Sequence, residues 1–267
     1  MSDVSGRGPV YALKRAGTWR EAWRRSGRLV LLLDFDGTLA PIVERPELAA
    51  MPEATRAALD RLLALPGVDA AVVSGRGMAD ARERAGIPGI AYAGNHGMEI
   101  EGPGMHRVHP EAQAARPALD EVVAAVVPAL EAVPGAFLED KGLTLSVHYR
   151  LAADEAGADR VRGIVGEAVR GKTGLRLTEG KKVLEVRPRV EWDKGRAVLF
   201  LLDQFQPPAG APVLYLGDDT TDEDAFRALA GTGEGILIAE SPPADTAATA
   251  YLRTPYEVGE FLSALAG

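Results

Sequence analysis

Short, almost wholly apolar runs recur along the chain, and each gives way at once to small and polar residues. Residues 30–33 lead into Asp34-Phe35-Asp36-Gly37-Thr38, and 68–73 into Ser74-Gly75-Arg76-Gly77. Residues 90–93 lead into Gly94-Asn95-His96-Gly97, and 213–216 into Gly217-Asp218-Asp219. Runs of this length that spare neither face for water predict strands buried on both sides. Helical spacing fills the intervals. Leu59, Leu62 and Leu63 share one face of a helix expected over 53–65, which Pro66-Gly67 stops. Further helices are expected after Gly77 to about residue 85, at 194–205 and at 255–265, with one more short strand at 235–239. Strand, polar loop and helix in succession predict an α/β fold, a Rossmann-like parallel sheet with right-handed crossovers.

The pattern changes after Gly102-Pro103-Gly104, which reads as a linker. A long helix is expected over 110–131, interrupted or capped by Pro117 and Pro128. Strands at 136–139 and 143–149 flank Asp140-Lys141-Gly142. Leu143, Leu145, Val147 and Tyr149 alternate with Thr144, Ser146 and His148, the period of a half-exposed strand. A helix over 152–170 and strands at 175–178 and 183–186 repeat the scheme, the strands joined through Glu179-Gly180-Lys181-Lys182. Two rounds of helix and paired strands predict a small α+β domain with one sheet face open. The expected organisation is a core of 29–103 and 189–267 with an insertion of 104–188. Residues 1–28 form a basic leader, either loosely ordered or carrying a short helix that lays Trp19 and Trp23 on the body.

Composition narrows the classes. The chain has 267 residues, 46% of them hydrophobic, enough for a sizeable core. Its net charge of −8 argues against a general nucleic-acid or anionic-membrane binder. With no cysteine there is no disulfide or thiol chemistry, and metal binding falls to carboxylates and histidines. No apolar run approaches the roughly 18 residues of a membrane span. Arg7, Lys14 and Arg15 are followed by no long apolar segment, so no signal peptide is expected and the expectation is a cytoplasmic protein.

Asp34 and Asp36 carry the first chemical signal. In extended chain, side chains two apart point the same way, so the carboxylates converge. Two like charges that close repel, and a hard cation with oxygen ligands relieves the cost. An ordinary Asp-Gly turn is the alternative. In a parallel sheet the strand ends meet along one edge. Asp34, Asp36, Ser74, Arg76, Asp218, Asp219 and Asp222 would then share a cleft with Lys194, which opens a helix. Carboxylates for Mg2+, a hydroxyl, a lysine and backbone amides suit phosphoryl transfer. One carboxylate can attack phosphorus while the other moves the proton.

Local alternatives remain open. Ser74 is also placed to cap a helix, and Arg76 to pair with a surface carboxylate. Asp222-Glu223-Asp224 begins a helix, where negative charge is favourable anyway. His96 is open to a substrate contact or a structural role. His106 and His109 alone make a poor zinc site. His148 and Arg150 alternate on a strand face that either lines the open side of the sheet or is solvated.

Asp34-Phe35-Asp36-Gly37-Thr38, Ser74, Lys194 and Gly217-Asp218-Asp219, in that order, resemble the motifs of the haloacid dehalogenase-like phosphohydrolases. Within that superfamily the chain is similar to the trehalose-6-phosphate phosphatases. The likeness rests also on Gly94-Asn95-His96-Gly97-Met98-Glu99, Glu139-Asp140-Lys141-Gly142, Ser146-Val147-His148-Tyr149-Arg150, Glu185-Val186-Arg187-Pro188 and Trp192-Asp193-Lys194-Gly195. It runs from about residue 30 to 230.

The resemblance implies a core of the haloacid dehalogenase type with an inserted cap domain that closes over the cleft. It implies Asp34 as nucleophile and Asp36 as general acid/base, with Ser74 and Lys194 on the transferring phosphoryl group. Mg2+ would be held by Asp34, the backbone carbonyl of Asp36 and Asp218, with Asp219 and Asp222 close by. Arg76 and Asn95 are expected at the substrate. Glu139, Lys141 and Glu185 in the cap are expected at glucose hydroxyls. The implied reaction is hydrolysis of trehalose 6-phosphate, the last step of trehalose biosynthesis, on a small sugar phosphate by a chain expected to be monomeric. Phosphatases of sucrose 6-phosphate or mannosyl-3-phosphoglycerate, and a silent sugar-phosphate sensor, are the alternatives.

Overall fold

A computed structural model describes residues 8–152, 154–180 and 182–267, which fall into two compact units. The first holds the residues up to Gly75, Ala79–His106 and Trp192–Gly267. The second holds Arg107–Glu191 together with Arg76–Met78.

In chain order the first segment gives Val10–Tyr11 (β1), Ala16–Ser26 (α1), Leu29–Leu33 (β2), Glu53–Leu63 (α2), Val68–Val73 (β3), Met78–Ala85 (α3), Ala91–Gly94 (β4), Glu99–Gly102 (β5) and Met105–Val108 (β6). The insertion gives Pro110–Ala114 (α4), Arg116–Leu130 (α5), Phe137–Asp140 (β7), Leu145–His148 (β8), Glu155–Val169 (α6), Leu175–Gly180 (β9) and Val183–Pro188 (β10). The chain ends with Lys194–Phe205 (α7), Val213–Gly217 (β11), Asp222–Ala228 (α8), Glu234–Ile238 (β12), Ala250–Leu252 (β13) and Pro255–Ala266 (α9).

The first unit is built on a sheet of order β1-β13-β12-β11-β2-β3-β4-β5-β6. Pairing is parallel from β1 to β4, and β5 runs antiparallel to β4. Every residue of β2 is buried, as its uninterrupted aliphatic run requires. Val30 and Leu32 join Val73, Tyr215, Phe226, Val198 and Leu201 in one core cluster. Each such side chain contributes about 1.5–3 kcal/mol by leaving water. The register levels the strand ends, since Leu33 lies beside both Leu216 and Val72, and Val73 beside Ala93. Asp34, Ser74, Asn95 and Asp218 therefore leave the sheet along one edge.

The described residues of the N-terminal region belong to the first unit. Residues 1–7 lie outside the described residues, but Val10 and Tyr11 add a parallel edge strand beside Ala250 and Tyr251. Helix α1 buries Trp19 and Trp23, and the Trp19 ring meets Phe261 edge-on at 5.6 Å. Of the two expectations for this region, the short helix that lays Trp19 and Trp23 on the body is the one observed. Strand β13 starts at Ala250, at the end of an alanine-rich stretch that shows no apolar run. The hairpin β5–β6 also escapes the apolar-run pattern, because its strands are only half-buried.

In the second unit β7-β8-β10-β9 form a wholly antiparallel sheet. Helices α5 and α6 cover one face through Leu119, Val122, Val126, Val161 and Val165 against Leu145, Val147, Leu184 and Val186. The helix expected over 110–131 is interrupted as expected near Pro117, at Ala115, whereas Pro128 lies inside α5. The alternation of the strands puts Phe137, Glu139, Ser146, His148, Glu185 and Arg187 on the opposite face.

Candidate active site

Asp34 follows β2 directly, and its amide donates to Leu216 O at 2.9 Å, so both strands fix its place. The next residues close a tight turn, with Gly37 N donating to Ala40 O at 2.7 Å and Ala40 N to Phe35 O at 2.8 Å. Phe35 is wholly buried, and the two aspartates flank it. Gly37 has φ of 79°, and a Cβ there would lie 2.1 Å from Asp218 Oδ2. A glycine is thus required twice over, by backbone and by the approach of the Asp218 carboxylate.

Lys194 begins α7, whose N-terminus Asp193 caps by accepting from Arg196 N at 2.8 Å. The lysine is buried, and its Nζ donates to Asp34 Oδ1 at 2.8 Å and to Asp222 Oδ1 at 2.6 Å. Burial pulls its ammonium towards neutrality, but the carboxylates of Asp222 and Asp34 outweigh that and hold it above its usual range. Burial pushes the Asp34 carboxyl well up, opposed by the charge of Lys194 and reinforced by Asp222 and Asp218.

Asp222 is fully buried, and four donors converge on it. Tyr215 Oη at 2.5 Å and Lys194 Nζ meet Oδ1, while Asp218 N at 3.0 Å and Asp219 N at 2.9 Å meet Oδ2. A carboxylate offers about four lone-pair sites. The sequence placed both Asp219 and Asp222 only near a metal. Asp222 holds the lysine, and Asp219 turns to Thr220, accepting from its amide at 2.6 Å. Tyr215 was missed. Its signal was a lone phenol inside an all-apolar strand, which must find a partner when buried.

Asp34, Asp218 and Asp222 each offer an oxygen, and these atoms lie within 4.8 Å of one another. With Asp222 committed to four donors, Asp34 and Asp218 are the carboxylates suited to a hard cation such as Mg2+. Asp36 is half-buried on the same turn.

Ser74 is buried at the end of β3. Its amide donates to Ala93 O at 2.8 Å, and its carbonyl accepts from His96 N at 2.9 Å. Asn95 and His96 both have positive φ, 51° and 57°. Asn95 is fully buried and donates to Glu99 Oε2 at 2.8 Å, which holds the loop. The His96 ring packs on Gly75, where a Cβ would come within 2.8 Å of its Cε1. These two loops thus brace each other around Ser74.

In the second unit, Glu139, Lys141 and Glu185 gather on the open sheet face and the adjoining turn. Lys141 Nζ lies 3.7 Å from Glu185 Oε1, and Arg187 lies 4.0 Å from Glu185 Oε2. Arg76 is buried, and its charge acts on Glu139.

The family model described as trehalose-phosphatase matches residues 32–254. An uncharacterized glycosyl hydrolase of Mycobacterium tuberculosis is 42% identical over 96% of this chain, which spans only 19% of that protein. A trehalose-phosphate phosphatase of Mycobacterium marinum is 40% identical over 90% of this chain and 62% of its own length. The chain is thus much shorter than either. The C-terminal domain of the trehalose-6-phosphate phosphatase of Candida albicans superposes with a TM-score of 0.77 at 26% identity, covering 98% of this chain and 99% of that one.

Proposed function

The chain belongs to the trehalose-phosphatase family, and from that premise we propose that it hydrolyses trehalose 6-phosphate to trehalose and inorganic phosphate, the last step of trehalose biosynthesis. The observation that carries this reading is the buried Asp34–Lys194–Asp222 array beside Asp218. A buried lysine between carboxylates holds a nucleophile in place and offers positive charge to a phosphoryl oxygen.

In the first step an oxygen of Asp34 forms a bond to phosphorus as the bond to the sugar oxygen breaks. Asp36 gives its proton to that leaving oxygen. In the second step Asp36 takes a proton from water, the water oxygen bonds to phosphorus, and the aspartyl-phosphate bond breaks. Ser74 and Lys194 bind the phosphoryl oxygens, and Arg76 and Asn95 serve the substrate. Mg2+ would be held by Asp34, Asp218 and the backbone carbonyl of Asp36, near Asp219 and Asp222. When bound, it offsets the charge of an anionic nucleophile meeting an anionic substrate.

The second unit acts as a cap, and Glu139, Lys141 and Glu185 take the sugar hydroxyls, since carboxylates and an ammonium accept and donate to several at once. No helix among the described residues is long and apolar enough to cross a membrane. We take the chain to work as a monomer in the cytoplasm on a small sugar phosphate.

The test is phosphate release from trehalose 6-phosphate, sucrose 6-phosphate and mannosyl-3-phosphoglycerate, with Mg2+ and with a chelator. Release from trehalose 6-phosphate above the others, abolished by chelation, is expected. Preference for another ester would overturn the substrate, and ligand-induced stabilisation without any release would overturn the catalysis.

A further inference from the structure

We propose that His148, backed by Phe137, is a positioning residue that fixes the Glu139 carboxylate to receive a sugar hydroxyl. The inference rests on the substrate reading above and adds to it residues not so far given a role.

The sheet register places the three together. Phe137 pairs with His148 across β7 and β8, and Glu139 pairs with Ser146. Residues two apart on a strand share a face, so Phe137, Glu139 and His148 all lie on the face away from α5 and α6. His148 Nε2 is 2.8 Å from Glu139 Oε2. The Phe137 ring stacks on the imidazole with centroids 4.7 Å apart and planes 19° from parallel. The histidine side chain is 16% exposed and the glutamate 28%, so the pair is sheltered but reachable.

A single exposed phenylalanine needs no explanation in itself. Here the 41%-exposed Phe137 is the flat support that holds the imidazole in one plane. The imidazole then holds Glu139 Oε2, so the carboxylate it steadies presents a fixed acceptor to a ligand hydroxyl. Burial pushes this carboxyl up, but the His148 hydrogen bond and the charges of Lys141, His148 and Arg76 bring it below its usual value. The group stays an acceptor at neutral pH.

The second acid of the face is treated alike. Glu185 lies between Lys141 at 3.7 Å and Arg187 at 4.0 Å. The two carboxylates stand on either side of Ser146, each in register with it, and with basic neighbours they make a double acceptor on one face. Such a surface suits a polyol whose hydroxyls are fixed on a ring, because preorganised acceptors lose little freedom on binding.

The test compares a sugar ester with one that has no sugar. His148→Ala is assayed on trehalose 6-phosphate and on p-nitrophenyl phosphate, with His148→Gln and Phe137→Leu alongside. A hydrogen bond that steadies a charged acceptor is worth on the order of 10–100-fold in affinity. His148→Ala is expected to raise KM for trehalose 6-phosphate roughly tenfold or more relative to KM for p-nitrophenyl phosphate. The amide of His148→Gln should recover most of that loss, and Phe137→Leu should fall between. An equal rise for both esters, or no rise for the sugar ester, would overturn the proposal. If the alanine variant does not fold, the ordering of His148→Gln and Phe137→Leu decides. Should the unaltered protein prefer another sugar phosphate, the substrate reading fails on its own and the same ratio is measured with that ester.

Discussion

Tyr215 donates its phenol hydrogen to Asp222 Oδ1 at 2.5 Å, and neither side chain is exposed. The bond fills one of the acceptor sites of a carboxylate that also holds Lys194 and the Asp218–Asp219 backbone. Burial and the Asp222 charge push the phenol well above its usual range, so it remains a donor throughout the working pH. Tyr215→Phe keeps the ring, which meets Phe226 edge-on, and removes only that donor. The expected loss is about 1–2 kcal/mol, read as a fall in Tm of a few degrees by calorimetry. An unchanged Tm would show that the phenol holds nothing.

Lys194 and Asp222 are unequal in what their loss leaves behind. Lys194→Met leaves the carboxylates of Asp34 and Asp222 facing each other in a buried site. Asp222→Asn leaves the Lys194–Asp34 pair intact. Removing the shared partner of a buried pair costs about 3–5 kcal/mol, so Lys194→Met is expected to be the more damaging by urea denaturation. Adding Asp34→Asn to Lys194→Met should restore part of the loss, a coupling that a double-mutant cycle measures. Additive effects would contradict the shared site.

Asp34→Asn separates catalysis from folding. Burial already pushes the Asp34 carboxyl upward, so a neutral amide of the same shape relieves a desolvated anion. Stability is expected to hold or rise. Phosphate release is expected to fall by at least about 10⁴-fold, as for removal of a nucleophile elsewhere. Substantial release by this variant would rule out attack by Asp34.

Gly37→Ala tests the turn that sets Asp218. The left-handed backbone costs an ordinary residue roughly 1–2 kcal/mol, and the added methyl would stand 2.1 Å from Asp218 Oδ2. The Asp218 carboxylate must then move. The expected outcome is a several-fold rise in the Mg2+ concentration needed for half-maximal phosphate release, together with a lower Tm. A variant with unaltered Mg2+ response would remove Asp218 from the cation site.

Glu234 makes the docking of the N-terminal region depend on pH. Burial pushes its carboxyl up, but hydrogen bonds from Arg15, Trp19 and Thr249 bring it below the ordinary value. A carboxyl depressed in the folded state adds stability that is full above its unfolded pKa of about 4.3. That stability is lost as pH falls through the lower folded value. The stability gap between the unaltered protein and Glu234→Gln is therefore expected to be wide at pH 7 and to close on acidification. A gap that stays constant down to pH 3 would remove the charge from the explanation.

The sequence by itself determined the sheet and the edge on which chemistry sits. Runs such as 30–33 and 213–216 leave no face for water, so they fold as central strands whatever surrounds them. Residues placed just after such strands are carried to one edge, and Asp34, Ser74 and Asp218 were legible for that reason. The half-exposed strands of the insertion were legible too, because the two-residue period is local.

Tertiary structure alone decided which of these groups meet. Lys194 and Asp34 are 160 residues apart, and nothing local states that the lysine lies between Asp34 and Asp222, not beside Asp219. The phenol of Tyr215 looks like core until the turn after β11 brings Asp222 back against it. Trp19 and Trp23 stay open between a loose segment and a docked helix until α9 presents Phe261. His148 becomes a partner of Glu139 only through the register of β7 on β8. Periodicity records which face a residue takes, because that choice repeats along the backbone. Pairing across the fold depends on crossings and registers that the packing of distant segments sets, and no short window of sequence contains them.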